Sequence, residues 1–169
     1  MKGNVLRLCL FAVWSVVGSV GCSNKVAVQK QTWTEESIKK YLDENRDKLE
    51  PIEGIYSISS VKTYKLLGVT APPKKSTDFA RVAIIKNPEG FTPVFTEYWL
   101  EGLDYRKYSK TAEFTRIQNS SSYLCKKTLP GADPTSYAFA YDDAAGSMEG
   151  VQKSNAASKL FYLKLYPAK

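Results

Sequence analysis

Thr92-Pro93-Val94-Phe95-Thr96-Glu97-Tyr98-Trp99-Leu100 is the stretch that decides the fold class of this chain. Val94, Thr96, Tyr98 and Leu100 fall on one face of an extended segment, and Phe95, Glu97 and Trp99 fall on the other. Side chains alternate across a strand, so β-branched and aromatic residues repeating with a period of two read as β structure. The same pattern recurs on both sides. Gly54 to Ser59 alternates, and Tyr64 to Val69 is a second candidate, ended by Ala71-Pro72-Pro73-Lys74-Lys75. Phe79 to Lys86 is the strongest strand, turned by Asn87-Pro88-Glu89-Gly90. After a turn near Gly102-Leu103-Asp104, Lys110 to Gln118 sets Ala112, Phe114 and Arg116 against Thr111, Glu113, Thr115 and Ile117. Ser122 to Leu129 places Tyr123, Cys125, Lys127 and Leu129 on one side. Ser136 to Tyr141 aligns Tyr137, Phe139 and Tyr141, Met148 to Gln152 is a weak strand, and Lys159 to Tyr166 closes the pattern. In that last run Leu160, Tyr162, Lys164 and Tyr166 oppose Phe161, Leu163 and Leu165. About eight short strands divided by turns predict a mainly β fold, an antiparallel up-and-down barrel, with a β-sandwich as the alternative.

Upstream the period changes. Thr32-Trp33-Thr34-Glu35-Glu36 has the make-up of a helix start, with Thr32 and Glu35 at capping-box spacing or Thr34 capping directly. Ile38, Tyr41, Leu42 and Leu49 recur at helical spacing, and Pro51 stops the helix. The expected organisation is a leader over 1–21, a tether over 22–31, a helix over 32–50 and a barrel over 51–169.

The leader has three parts. A short basic start with Lys2 and Arg7 precedes the apolar run Leu8 to Val17, and small residues Gly18-Ser19-Val20-Gly21 lead to Cys22. Such a run rises only about 15 Å as a helix, too short for a hydrocarbon core of about 30 Å. The layout resembles the lipobox of bacterial lipoproteins. That resemblance implies cleavage before Cys22 and acyl chains on its sulfur. Two chains hold a protein on a membrane firmly where one binds reversibly. Ser19 and Gly21 also satisfy the small-x-small rule of the ordinary signal peptidase, which would cut the same bond and release an unlipidated protein. In the lipoprotein scheme Ser23 implies the outer membrane. The absence of acidic residues from Ser23 to Lys30 then implies the periplasm-facing leaflet.

Composition narrows the chemistry. The chain has no histidine, which excludes Ser-His-Asp and Cys-His nucleophiles, the usual zinc cages and imidazole acid–base work. Of three cysteines, Cys9 leaves with the leader and Cys22 takes the lipid. Cys125 then stands alone, a small core residue or a reactive thiol. No enzyme activity, metal or cofactor is expected. The formal charge of +7 suits anionic lipid or polysaccharide surfaces, or simply keeps the domain soluble. Nucleic acid is not expected as a partner, because no block of Lys and Arg and no finger spacing is present.

Glu53-Gly54-Ile55-Tyr56, opening the first strand after a short helix, resembles the Gly-x-Trp entrance of lipocalins, with Tyr56 in place of Trp. Val82-Ala83-Ile84-Ile85-Lys86-Asn87, Trp99 followed by Gly102, and Leu163-Lys164-Leu165-Tyr166-Pro167 extend the likeness to lipocalin-like lipoproteins of Bacteroidota type. The resemblance implies a barrel that binds a small apolar or amphiphilic ligand or a glycan. Tyr137, Phe139, Tyr141, Trp99 and Arg116 are its candidate ligand contacts, with Glu97 a possible polar anchor beside Arg116. The same aromatics would also serve as barrel filling or as cross-strand pairs on its outside, and the two charges as parts of a solvated wall. The alternative function is a structural or accessory protein of an envelope complex. A roomy apolar cavity would favour the ligand, and a packed interior with a large exposed apolar patch would favour the partner.

Overall fold

Alternation along 94–100 is the alternation of a barrel wall. In the computed structural model, which describes residues 33–66, 69–87, 93–102, 106–128, 131–153 and 158–167, Phe95, Glu97 and Trp99 are buried in the interior. Tyr98 and Leu100 instead pack outside, beneath a helix. The leader, the tether and Cys22 lie outside the described residues.

The elements in chain order are helix α1 (Glu35–Glu44), a 3-10 turn (Arg46–Lys48), β1 (Gly54–Lys62), β2 (Lys65–Leu66), β3 (Val69–Thr70) and β4 (Lys74–Lys86). There follow β5 (Val94–Glu101), β6 (Lys110–Arg116), β7 (Ser122–Lys127), β8 (Thr135–Asp142), β9 (Ser147–Gln152) and β10 (Ser158–Tyr166). Eight strands pair in the order β1-β10-β9-β8-β7-β6-β5-β4 and close into one antiparallel up-and-down barrel. First and last strands meet with Tyr56 opposite Lys164 and Ile58 opposite Tyr162, so the sheet has no free edge to manage. This is the barrel of the two predicted architectures, not the sandwich. Two segments differ from expectation. Of the predicted strand Tyr64 to Val69, Lys65–Leu66 forms the dipeptide β2, which pairs with β3 in a two-stranded sheet separate from the barrel. In addition, β4 begins at Lys74 directly after Pro73, inside the predicted turn.

Helix α1 starts where Thr34 Oγ1 accepts from the Ser37 amide at 3.2 Å and Ser37 Oγ accepts from the Thr34 amide at 2.8 Å. The capping box is therefore built on Thr34 and not on Thr32. Ile38 and Leu42 bury their stripe against Ile55, Ala83, Ile85 and Leu100, on the outer face of β1, β4 and β5. The helix is shorter than the predicted span, because Asn45 caps it and the chain tightens into the 3-10 turn.

The barrel has two ends. At the lower end β1 starts and the β4–β5, β6–β7 and β8–β9 connections turn. Tyr56 donates from its hydroxyl to Ile52 O at 2.8 Å, and Glu53, 1% exposed, accepts from Tyr41 Oη and from the Glu50 and Lys86 amides. One carboxylate thereby ties helix, entry loop and β4 together. Gly54 is required here, since a Cβ would stand 2.5 Å from Tyr166 O. The upper end carries the β1–β4, β5–β6, β7–β8 and β9–β10 connections.

Candidate functional site

Most of the interior is apolar and aromatic. Trp99, Tyr56, Tyr123, Tyr162, Phe95, Phe114 and Phe139 are all fully buried. Their rings meet edge-on or tilted: Phe139 and Tyr162 at 5.2 Å, Phe114 and Phe139 at 5.3 Å, Tyr137 and Phe139 at 6.0 Å between centroids. Such offset contacts stabilise a packed core beyond the area they bury.

Within this filling sits a charged pair. Glu97, midway along β5 on the inward face, has no solvent exposure, and Lys127, the last residue of β7, is 8% exposed. Lys127 Nζ lies 2.5 Å from Glu97 Oε1. Two hydroxyls complete the carboxylate shell. Thr111 Oγ1 donates to Oε1 at 2.6 Å and Tyr162 Oη donates to Oε2 at 2.6 Å, while Lys127 Nζ also donates to Tyr162 Oη at 3.1 Å. Thr111 reaches Glu97 through a β-bulge. Glu97 pairs with Ala112 and Tyr98 with Lys110, which leaves Thr111 without a residue opposite, and a bulge re-aims a side chain in this way.

Electrostatics follow from burial. The Tyr162 phenol is pushed well above its ordinary range by desolvation and by the Glu97 charge, so it stays a donor. Burial, with Glu97 adding to it, raises the Cys125 thiol as well, so Cys125 remains a neutral core thiol rather than a nucleophile. Two of the three ammonium protons of Lys127 have partners within the cluster. The same residue also lines a small cleft of about 40 Å³ at the upper end, with Ala132, Asp133, Thr135 and Tyr137. The arrangement can therefore seat a polar or anionic group at the cleft, backed by tyrosine rings.

The candidate ligand contacts divide. Tyr137, Phe139 and Trp99 are interior and close to the cluster, with Phe139 edge-on to Tyr162 and the Trp99 indole donating to Gly102 O at 2.6 Å. Tyr141 is interior but belongs to the lower end, where Lys164 Nζ lies 5.6 Å from its ring centroid. Arg116 does not enter the interior. It has the inward register of Phe114 but stands at the exposed lower end of β6, donating to Ser120 O and pairing with Glu50 at 3.6 Å. Glu97 and Arg116 are thus not partners. Sequence reasoning put Lys127 on one face with Tyr123 and Cys125, and Tyr162 on one face with Leu160, without assigning either a role, and a lysine in register with Tyr123 and Cys125 was the available signal. Thr111 had none, because the bulge overrides its alternation.

Among the described residues no group of three or more His, Cys, Asp or Glu is placed to hold a metal ion. No described helix is long and apolar enough to cross a membrane. Comparison with protein-family models, with curated proteins and with solved structures found no match. The closed eight-stranded antiparallel barrel is consistent with a lipocalin-like fold on its own geometry.

Proposed function

We propose that this protein is a lipid-tethered binding module of the bacterial envelope, a binder rather than a catalyst, that takes a small amphiphile at the upper mouth of its barrel. One observation carries the reading: a hydrogen-bonded Glu97–Lys127–Tyr162–Thr111 cluster buried in an aromatic interior beside the mouth cleft. A buried ion pair contributes little net stability, and apolar residues of the same volume often do as well or better. Its presence therefore supports recognition over stability. The head group of the ligand takes the remaining donor of Lys127, and its apolar part lies against Tyr137. The filled interior limits that part to a short chain or a ring. The anchor on Cys22 and the outer-membrane, periplasm-facing address rest on the leader sequence alone.

A second reading, an accessory protein of an envelope complex, draws support from Leu163 and Leu165, exposed neighbours on the outer face of β10. Mass spectrometry of the protein extracted from native membranes separates the two. The expected result is a polypeptide starting at Cys22, heavier by its acyl chains, with a co-purifying small molecule that Lys127→Met loses. Cys22→Ala should move the protein to the soluble fraction. A bare polypeptide mass overturns the anchor. A natural product with no small molecule, or one retained equally by Lys127→Met, overturns the ligand and favours the accessory role.

A further inference from the structure

Charge is distributed unequally between the two ends. At the lower end Arg46 pairs with Asp43, and Lys86 and Arg116 pair with Glu50, while exposed Lys48 forms no ion pair among the described residues. The upper end is different. Lys62 ends β1, Lys74 and Lys75 start β4, Lys107 precedes β6, and Lys126 and Lys153 stand at the upper ends of β7 and β9. All six are exposed, and among the described residues none forms an ion pair. The carboxylates nearby are fewer and partly engaged. Glu101 holds Arg81, Glu113 holds Lys110, and Asp78 hydrogen-bonds Ser57, which leaves Asp133 as the remaining described one at the mouth. Strand alternation does not demand a lysine at the upper terminus of strand after strand, and one basic rim results.

Two further observations belong to the same end. Tyr64, 51% exposed, lies two residues after Lys62 in the β1–β4 connection. An exposed tyrosine among lysines is the pairing found at membrane–water interfaces, where the ring sits at head-group depth and the ammonium groups reach outward. The chain also enters the domain here. Glu35, the first residue of α1, pairs with Arg81, which in turn holds Glu101 at the upper end of β5.

We infer that the basic upper rim docks on an anionic phospholipid bilayer, with the barrel mouth and Tyr64 toward the membrane. The inference rests on the proposed binding reading and adds the lipid class and the docking face. A binding module seated mouth-down exchanges its amphiphile with the membrane directly and not through water. Each lysine held near an anionic surface favours binding by roughly fivefold, and the effect fades with salt.

The test measures co-sedimentation of the full chain with phosphatidylcholine vesicles, with and without phosphatidylglycerol, at low and high salt. Three proteins are compared: the natural chain, the rim variant Lys74→Glu/Lys75→Glu/Lys126→Glu/Lys153→Glu, and the control Lys40→Glu/Lys48→Glu on the helix side. All share one N-terminal segment, so any anchor contributes equally and only the gain from anionic lipid is read. The natural chain and the control should gain at least about tenfold on anionic vesicles at low salt, and the rim variant should lose that gain while keeping the same circular dichroism. Equal gain in all three proteins, equal loss in the control, or no gain in the natural chain overturns the docking face. Absence of lipid on Cys22 leaves this difference readable, so failure of the anchor and failure of the rim are told apart.

Discussion

Glu97 illustrates how a residue can be fully buried and still be costly to keep. Its carboxylate gave up water entirely, and Lys127, Thr111 and Tyr162 return three short hydrogen bonds. Charge-assisted bonds in a dry site are strong, but the desolvation of two ions offsets much of the gain. Removing one partner is a different matter. Glu97→Leu leaves the Lys127 ammonium nearly buried without a counter-charge and should cost about 3–5 kcal/mol. Lys127→Met should cost less, because the stranded carboxylate keeps two hydroxyl donors. The double variant removes both charges, so its loss should fall well short of the sum of the singles. Urea midpoints of the four proteins check this. Strict additivity would mean that the two side chains do not interact across the barrel.

Strands β5 and β9 show what the alternation pattern carries and what it omits. In β5 each inward position holds a large or chemically distinctive side chain, and the pattern alone placed Phe95, Glu97 and Trp99 correctly. In β9 the inward set is Met148 and Gly150, so the strand looked weak, yet it pairs fully with β8 and β10. The reason lies in the neighbouring strand. A Cβ on Gly150 would stand 2.3 Å from the Phe139 ring, so the volume that a residue at 150 would supply is already supplied by Phe139. Alternation reads one strand at a time and cannot register a ring borrowed from the next. The same limit explains Thr111, whose inward turn comes from a bulge, and Tyr64 to Val69, whose alternation found no barrel neighbour. Gly150→Ala should destabilise by about 1–3 kcal/mol through overpacking. Trimming the ring with Phe139→Leu in the same chain should return part of that loss. Thermal midpoints of the single and double variants decide it, and a neutral Gly150→Ala would show that Phe139 has another place to go.

At the scale of the molecule, closure between β1 and β10 unites residues about a hundred positions apart, and no local pattern announced it. What closure creates is a dry interior in which tyrosines dominate the polar inventory. Burial raises the Tyr56, Tyr141 and Tyr162 phenols above their ordinary value of 10.0, Tyr141 to about 12 and the other two well above their usual range. A group whose pKa is raised on folding holds its proton more tightly in the native state. Its contribution to stability is complete below pH 10 and declines as the pH climbs through the folded value. The barrel should therefore keep its full stability up to about pH 10 and lose it progressively toward pH 12 and beyond. Tyrosinate absorbance and backbone circular dichroism, followed together, separate the steps. The Tyr56, Tyr141 and Tyr162 phenols should ionise only as the strand signal disappears. Complete phenol ionisation with the barrel intact would mean that water reaches these rings, and the dry interior on which the Glu97–Lys127 site depends would not exist in solution.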